Sequence, residues 1–165
     1  MASYQLTGGW AIWLSLFIAL LLTIAPLPQS LMAFRPLWVS AVFIYWSLFL
    51  PHRSSLFAAF IFGLIIDVMV NSLLGQNALV LVLTVYVSLL FHHKIRPQPI
   101  IRQTAMITII LFLGQIIQVW IYTLTGIYPN QFSIFDYIFP IITTSILWPW
   151  LSAALRSLQI RVGIN

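Results

Sequence analysis

Polar and helix-breaking residues divide the chain into six apolar runs, at residues 10–25, 36–50, 54–70, 76–91, 100–125 and 134–155. The stretches between them are rich in proline, glycine or charge, which end helices. A helix needs about 20 apolar residues to cross a bilayer. The pattern therefore predicts an all-α integral membrane protein with about six transmembrane helices, forming a single polytopic domain over residues 1–165.

The second run is short, and merging it with a neighbour would give five helices. The distribution of basic residues favours six, because cytoplasmic turns carry an excess of Lys and Arg. With both termini in the cytoplasm, the outer side holds only Arg35. The cytoplasmic side then holds the other six basic residues, which are Arg53, Lys94, Arg96, Arg102, Arg156 and Arg161. A five-helix chain would place some of these outside.

Composition supports a membrane location. Hydrophobic residues make up 62% of the chain and charged residues only 5%, whereas a soluble domain has about 25% charged residues. The seven Lys and Arg are dispersed, so the clustered basic face of a nucleic-acid-binding protein is missing. Six tryptophans near span ends fit an aromatic belt at the membrane interface: Trp10, Trp13, Trp38, Trp46, Trp148 and Trp150.

Asp67 is the most informative residue because it lies inside an apolar run. An ionised carboxylate in hydrocarbon costs a few kcal/mol, so it requires a partner, water or a proton. Arg35 is expected at the same membrane face, and an intramembrane ion pair between Arg35 and Asp67 is predicted. The alternative is that Arg35 extends to lipid headgroups while Asp67 faces a hydrated crevice.

The other ionisable residues give little indication of chemistry. Asp136 opens the sixth run, where a carboxylate complements a helix N-terminus. Neither aspartate has the local sequence of an intramembrane aspartyl protease. The three histidines are expected in solvated turns with no carboxylate to orient them as metal ligands. We therefore expect no enzymatic activity, no metal and no cofactor.

Three further groups of residues fit simple roles. Ala59 and Gly63 form a small-xxx-small pair, and Gln115 and Gln118 share one helix face, so both pairs suit helix packing. A third group forms a cytoplasmic basic cluster that suits membrane lipids or an acidic partner: Lys94, Arg96 and Arg102.

Several short stretches form a recognisable order and spacing along the chain, namely residues 1–4, 10–15, 34–39, 45–46, 50–53, 63–67, 74–75 and 78–79. In these stretches the chain resembles the MreD family of rod shape-determining proteins, and the similarity runs over nearly its whole length. Residues 147–150 fit the family's gammaproteobacterial branch. Arg35 and Asp67 match recurrent charged positions of the family, which implies that both are important.

The resemblance implies a role and partners that the residues alone do not indicate. MreD-like proteins are inner-membrane members of the complex that elongates the lateral cell wall. They bind MreC and, through it, associate with MreB, RodA and a class B penicillin-binding transpeptidase. Their fold is similar to the substrate-binding subunits of energy-coupling vitamin transporters. We therefore expect a non-enzymatic scaffold or regulatory subunit of peptidoglycan synthesis. The alternative is a small-molecule binding subunit of a transporter.

Overall fold

The structure, a computed structural model, describes residues 9–26, 28–52, 55–126 and 134–163. These residues form six α-helices, as the apolar pattern predicts. The helices are α1 (Gly9–Ile24), α2 (Trp38–Phe49), α3 (Leu56–Val70), α4 (Gln76–Ile95), α5 (Ile100–Thr125) and α6 (Phe135–Val162), with a 3₁₀-helix (Gln29–Phe34) before α2. Arg53 lies outside the described residues.

Helix α2 occupies the centre of the bundle. Nearly all of its residues are buried, including Tyr45 and Trp46. It packs against α1, α4 and α6, while the other five helices close a ring in the order α1, α3, α4, α5, α6 and back to α1. A helix that is apolar all round belongs inside such a ring, because it has no polar face to direct outward.

The helical lengths explain why the second run looks short in the sequence. Helix α2 and the end of the preceding 3₁₀-helix together form an apolar segment, Met32–Phe49, that is long enough to cross a membrane. Helices α4, α5 and α6 are also long enough, whereas α1 and α3 have only 16 and 15 residues. With large apolar side chains exposed around the ring, the described residues form a helical multi-pass bundle.

Two helices differ from the sequence-based expectation. Helix α4 continues to Ile95 and so includes His92 and Lys94, which the pattern assigns to a turn. Helix α6 runs without a break through Pro140 and Pro149 to Val162. Hydropathy locates the apolar part of a helix, whereas the helix itself continues into polar residues. Proline inside a membrane helix is tolerated when neighbouring groups compensate.

The aromatic-belt interpretation is wrong for two of the six tryptophans. Trp10, Trp13 and Trp150 are exposed, but Trp46 and Trp148 are fully buried in the core. The indole N–H of Trp46 donates a 2.9 Å hydrogen bond to the hydroxyl of Ser15 on α1. These two indoles therefore pack in the core of the bundle instead of lying at the membrane interface.

The close packing of α3 on α4 depends on small residues. Ala59 is fully buried. A Cβ atom added to Gly63 would lie 2.2 Å from the Cα of Ala78 and 2.6 Å from its backbone nitrogen. Such contacts are closer than atoms allow, so glycine at position 63 is what lets the two backbones approach. Ser55 caps the start of α3, where its hydroxyl accepts the Ala58 N–H at 3.3 Å.

Candidate functional site

The carboxylate of Asp67 is buried in the last turn of α3, with 1% of the residue exposed. Four donors lie within 2.9 Å of it. The Ser72 hydroxyl and the backbone N–H and side-chain amide of Asn77 donate to Oδ1, and the Gly75 N–H donates to Oδ2. Asp67 therefore fixes the turn between α3 and α4.

The backbone of this turn presents its N–H groups to the carboxylate. Asn71, which follows the last residue of α3, has φ 53°. Gly75, which precedes the first residue of α4, has φ 95°, a conformation that favours glycine. The first N–H groups of a helix have no partner within it. Asp67 accepts two such hydrogen bonds at the start of α4, where the helix dipole also favours a negative charge. The carboxylate thus caps α4 from the neighbouring helix.

Arg35 has a different set of partners. Its two terminal nitrogens donate to the carbonyls of Thr23 and Ala25 at 2.5 and 2.6 Å. These carbonyls lie at the C-terminal end of α1, where a cation complements the helix dipole. The Nε atom of Arg35 is buried and has no hydrogen-bond partner.

The predicted ion pair between Arg35 and Asp67 is therefore not formed, and the interpretation needs correction. Each charged side chain instead binds backbone groups at a helix end. Asp67 accepts N–H groups at the start of α4, and Arg35 donates to carbonyls at the end of α1. The expectation that both residues lie at the same end of the bundle agrees with the structure, because Arg35 and the Asp67 partners Ser72 and Asn77 line one cavity.

This polar cavity has a volume of about 310 Å³ and lies among the ends of α1, α3 and α5 and the starts of α2, α4 and α6. Its polar lining includes six side chains that can bind a ligand directly: Arg35, Asn77, Gln115, Gln118, Tyr122 and Asp136. Small-molecule sites typically have volumes of about 300–1,000 Å³ with a few convergent polar groups. The cavity meets both conditions.

The sequence predicts that Gln115 and Gln118 serve helix packing. In the structure both residues also line the wall of the polar cavity. Gln115 is buried and Gln118 is half-buried. Asp136 is exposed in the first turn of α6, as expected, and also faces the cavity. Sequence reasoning missed the cavity because its wall comes from six helices. The shared face of the two glutamines was the available signal.

The basic cluster of Lys94, Arg96 and Arg102 lies at the opposite end of the bundle, and all three side chains are exposed. The ammonium of Lys94 lies 5.8 Å from the ring centre of Phe91, and the Arg96 guanidinium lies 6.0 Å from that of Phe49. Among the residues with described positions, no three His, Cys, Asp or Glu side chains are grouped so that they could hold a metal ion.

In the residues that the structure describes, six apolar helices, one of them a buried central helix, and large apolar side chains exposed around the bundle define a multi-pass helical membrane protein. The sequence profile of a family described as rod shape-determining protein MreD matches residues 4–158. The chain therefore belongs to the MreD family, and a role in determining rod shape follows from that membership.

A similar curated protein supports this assignment. The chain is 28% identical, over 157 residues, to the rod shape-determining protein MreD of Haemophilus influenzae (strain ATCC 51907 / DSM 11121 / KW20 / Rd). The alignment covers 94% of this chain and 95% of that protein, so the similarity extends over the whole bundle. No solved structure matches the chain.

Proposed function

We propose that the chain is a non-enzymatic scaffold subunit of the cell-wall elongation complex, which maintains rod shape by binding MreC and positioning peptidoglycan synthesis enzymes. Membership of the MreD family is the observation that carries this proposal. MreB, RodA and a class B penicillin-binding transpeptidase associate with the chain through MreC. A fold similar to that of vitamin-transporter binding subunits is part of the same proposal.

The proposed setting is the bacterial inner membrane, with both termini in the cytoplasm. The positive-inside rule supports this orientation, because Lys94, Arg96 and Arg102 are exposed at one end of the bundle while Arg35 lies at the other. The basic cluster then meets the anionic lipids of the cytoplasmic leaflet. The polar cavity opens on the outer side.

A groove between α1 and α6 is the surface that we assign to the partner. It has a volume of about 180 Å³ and an almost wholly apolar lining. The exposed part of its α1 wall carries large apolar residues at four-residue spacing, namely Leu14, Ile18 and Leu22. A ridge of side chains at this spacing packs into the groove of a neighbouring helix. A single transmembrane helix of MreC fits this chemistry.

The length of α1 supports the same surface. Its 16 residues span about 24 Å, which is shorter than a hydrocarbon core of about 30 Å. A short helix strains the surrounding lipid, and binding another helix is one way to relieve that mismatch. The mechanism is therefore docking, in which α1 and its groove hold the MreC helix and the MreC-bound enzymes gather beside it.

Co-purification with matched variants tests the proposal. Ile18 on the groove and Ile116 on α5 are 47% and 48% exposed, so Ile18→Trp and Ile116→Trp add the same bulk at equal exposure. Tagged chain is expected to recover MreC from detergent extracts, with recovery lost for Ile18→Trp and kept for Ile116→Trp. Failure of the wild-type chain to recover MreC would overturn the scaffold role.

Cross-linking tests the surface independently, because the chain contains no cysteine. Ile18→Cys and Ile116→Cys each introduce one thiol, to be paired with a single cysteine in the MreC transmembrane helix. Oxidation is expected to join the two chains only through position 18. A cross-link through position 116 alone would keep the partner but show that the α1–α6 groove is the wrong surface.

A further inference from the structure

From the polar cavity we infer a binding site for a small dipolar ligand, one that carries an ammonium group together with a phosphate or carboxylate. This site shares only Trp38 with the α1–α6 groove and differs from it in chemistry: the groove is apolar, whereas the cavity brings a guanidinium, a carboxylate and several amide and phenol groups together. The inference therefore stands independently of the scaffold role.

Arg35 supplies the positive wall of the cavity. Its terminal nitrogens bind the carbonyls of Thr23 and Ala25, which carry no formal charge, and its buried Nε–H has no partner. An anionic group in the cavity would neutralise the guanidinium charge, since Arg35 is hydrogen-bonded to no carboxylate of the described residues.

Asp136 supplies the negative wall. Its presence disfavours a simple anion, and Arg35 disfavours a simple cation, so the two charges together select a ligand that carries both. Gln115, Gln118 and Asn77 add amide donors and acceptors that suit hydroxyl or ester oxygens. This combination of groups matches an ammonium and a phosphate or carboxylate separated by a short linker.

The position of the cavity indicates two sources for such a ligand. It lies where α1 and α5 end and where α4 and α6 begin, as shown by the lining residues Thr23, Tyr122, Asn77 and Asp136. Helix ends in a membrane protein lie at the depth of the lipid headgroups. The headgroup of phosphatidylethanolamine and a water-soluble dipolar molecule therefore share the required chemistry.

The experiment uses the full chain in detergent with two probes. Native mass spectrometry measures retention of phosphatidylethanolamine against phosphatidylglycerol, which is anionic but has no ammonium. Calorimetry measures binding of soluble glycerophosphoethanolamine. We expect 1:1 binding with about tenfold preference for the ammonium-bearing lipid, the preference that one charge-assisted hydrogen bond provides. Binding of the soluble probe as well would indicate a soluble source, and binding of the lipid alone a headgroup site.

Variants of the cavity wall make the test specific. Asp136→Asn and Gln118→Leu are expected to keep the fold, because both positions are exposed or half-buried. Arg35→Gln is less suitable, because it removes the hydrogen bonds that Arg35 donates to the carbonyls at the end of α1. Asp136→Asn is expected to weaken retention of the ammonium-bearing lipid about tenfold and to leave phosphatidylglycerol unaffected or better bound. The control Arg96→Gln, at the opposite end of the bundle, should change neither.

Two results would overturn the inference. The first is no 1:1 binding in either arm, which would leave the cavity without a ligand of this class. The second is equal retention of the two lipids with no effect of Asp136→Asn, which would show contact at the general lipid surface instead of a dipolar site.

Discussion

Replacing Asp67 by alanine is expected to destabilise the bundle strongly, because the carboxylate is the common acceptor at the turn between α3 and α4. Two of its close donors, the N–H groups of Gly75 and Asn77, belong to the backbone, at 2.8 Å each, and the Ala78 N–H lies farther away at 3.5 Å. They cannot turn toward another acceptor without unwinding the first turn of α4. The Ser72 hydroxyl and the Asn77 amide lie at the polar cavity and can rotate toward water.

The magnitude follows from those two backbone donors. A buried donor left without an acceptor costs about 1–3 kcal/mol, so Asp67→Ala should lower the free energy of unfolding by about 2–6 kcal/mol. Asp67→Asn keeps one acceptor oxygen and loses the negative charge. Its expected cost is about 1–3 kcal/mol, because hydrogen bonds to charged groups are stronger than neutral ones.

The assay is unfolding of the detergent-solubilised chain by increasing mole fractions of sodium dodecyl sulfate, followed by the fluorescence of its seven tryptophans. Asp136→Ala is the matched control, since Asp136 is an exposed aspartate at the same end of the bundle. That control should cost only about 0.3–1 kcal/mol through the helix dipole. If Asp67→Ala is no more destabilising than Asp136→Ala, the capping role assigned to Asp67 is refuted.

Two further predictions use the same unfolding assay. Gly63→Ala should cost about 1–3 kcal/mol by forcing α3 away from Ala78, whereas Gly9→Ala, which meets nothing within 4 Å, should be nearly neutral; equal effects would contradict the close-packing role of Gly63. Exchanging the charges, as Arg35→Asp with Asp67→Arg, should not recover stability, because each side chain binds different backbone groups. A double variant more stable than either single one would instead support a direct ion pair.

The fold could be predicted from the sequence to the level of helix number and order, because apolar periodicity and chain breaks are local properties. The central position of α2 could not, although its apolar character on every side was visible. Trp46 illustrates the limit. Near a run end it predicts an interfacial anchor, but its indole N–H reaches Ser15 on another helix. Only the packing of the helices around α2 decides whether this indole lies at the interface or in the core.

The site was predicted in part. Sequence reasoning identified Asp67 as a carboxylate that needs partners and placed Arg35 at the same end, but joined the two as the nearest opposite charges. It treated residues 71–75 only as a break between two helices, whereas the φ > 0 positions at Asn71 and Gly75 bring backbone N–H groups to Asp67. A folded turn supplies donors that no list of charged residues contains.

A residue that caps a helix and a residue that lines a binding surface can both alter cell shape when they are substituted, but for different reasons. Asp67 is 1% exposed and its hydrogen bonds lie within the turn, so a rounded cell that carries Asp67→Ala reports lost folded protein. A loss of 1–2 kcal/mol already lowers cellular abundance several-fold. Ile18 and Asp136 are exposed, so their substitution should alter partner or ligand binding at normal abundance. Measuring the level of the chain in the membrane beside cell shape therefore separates a folding defect from loss of a binding surface.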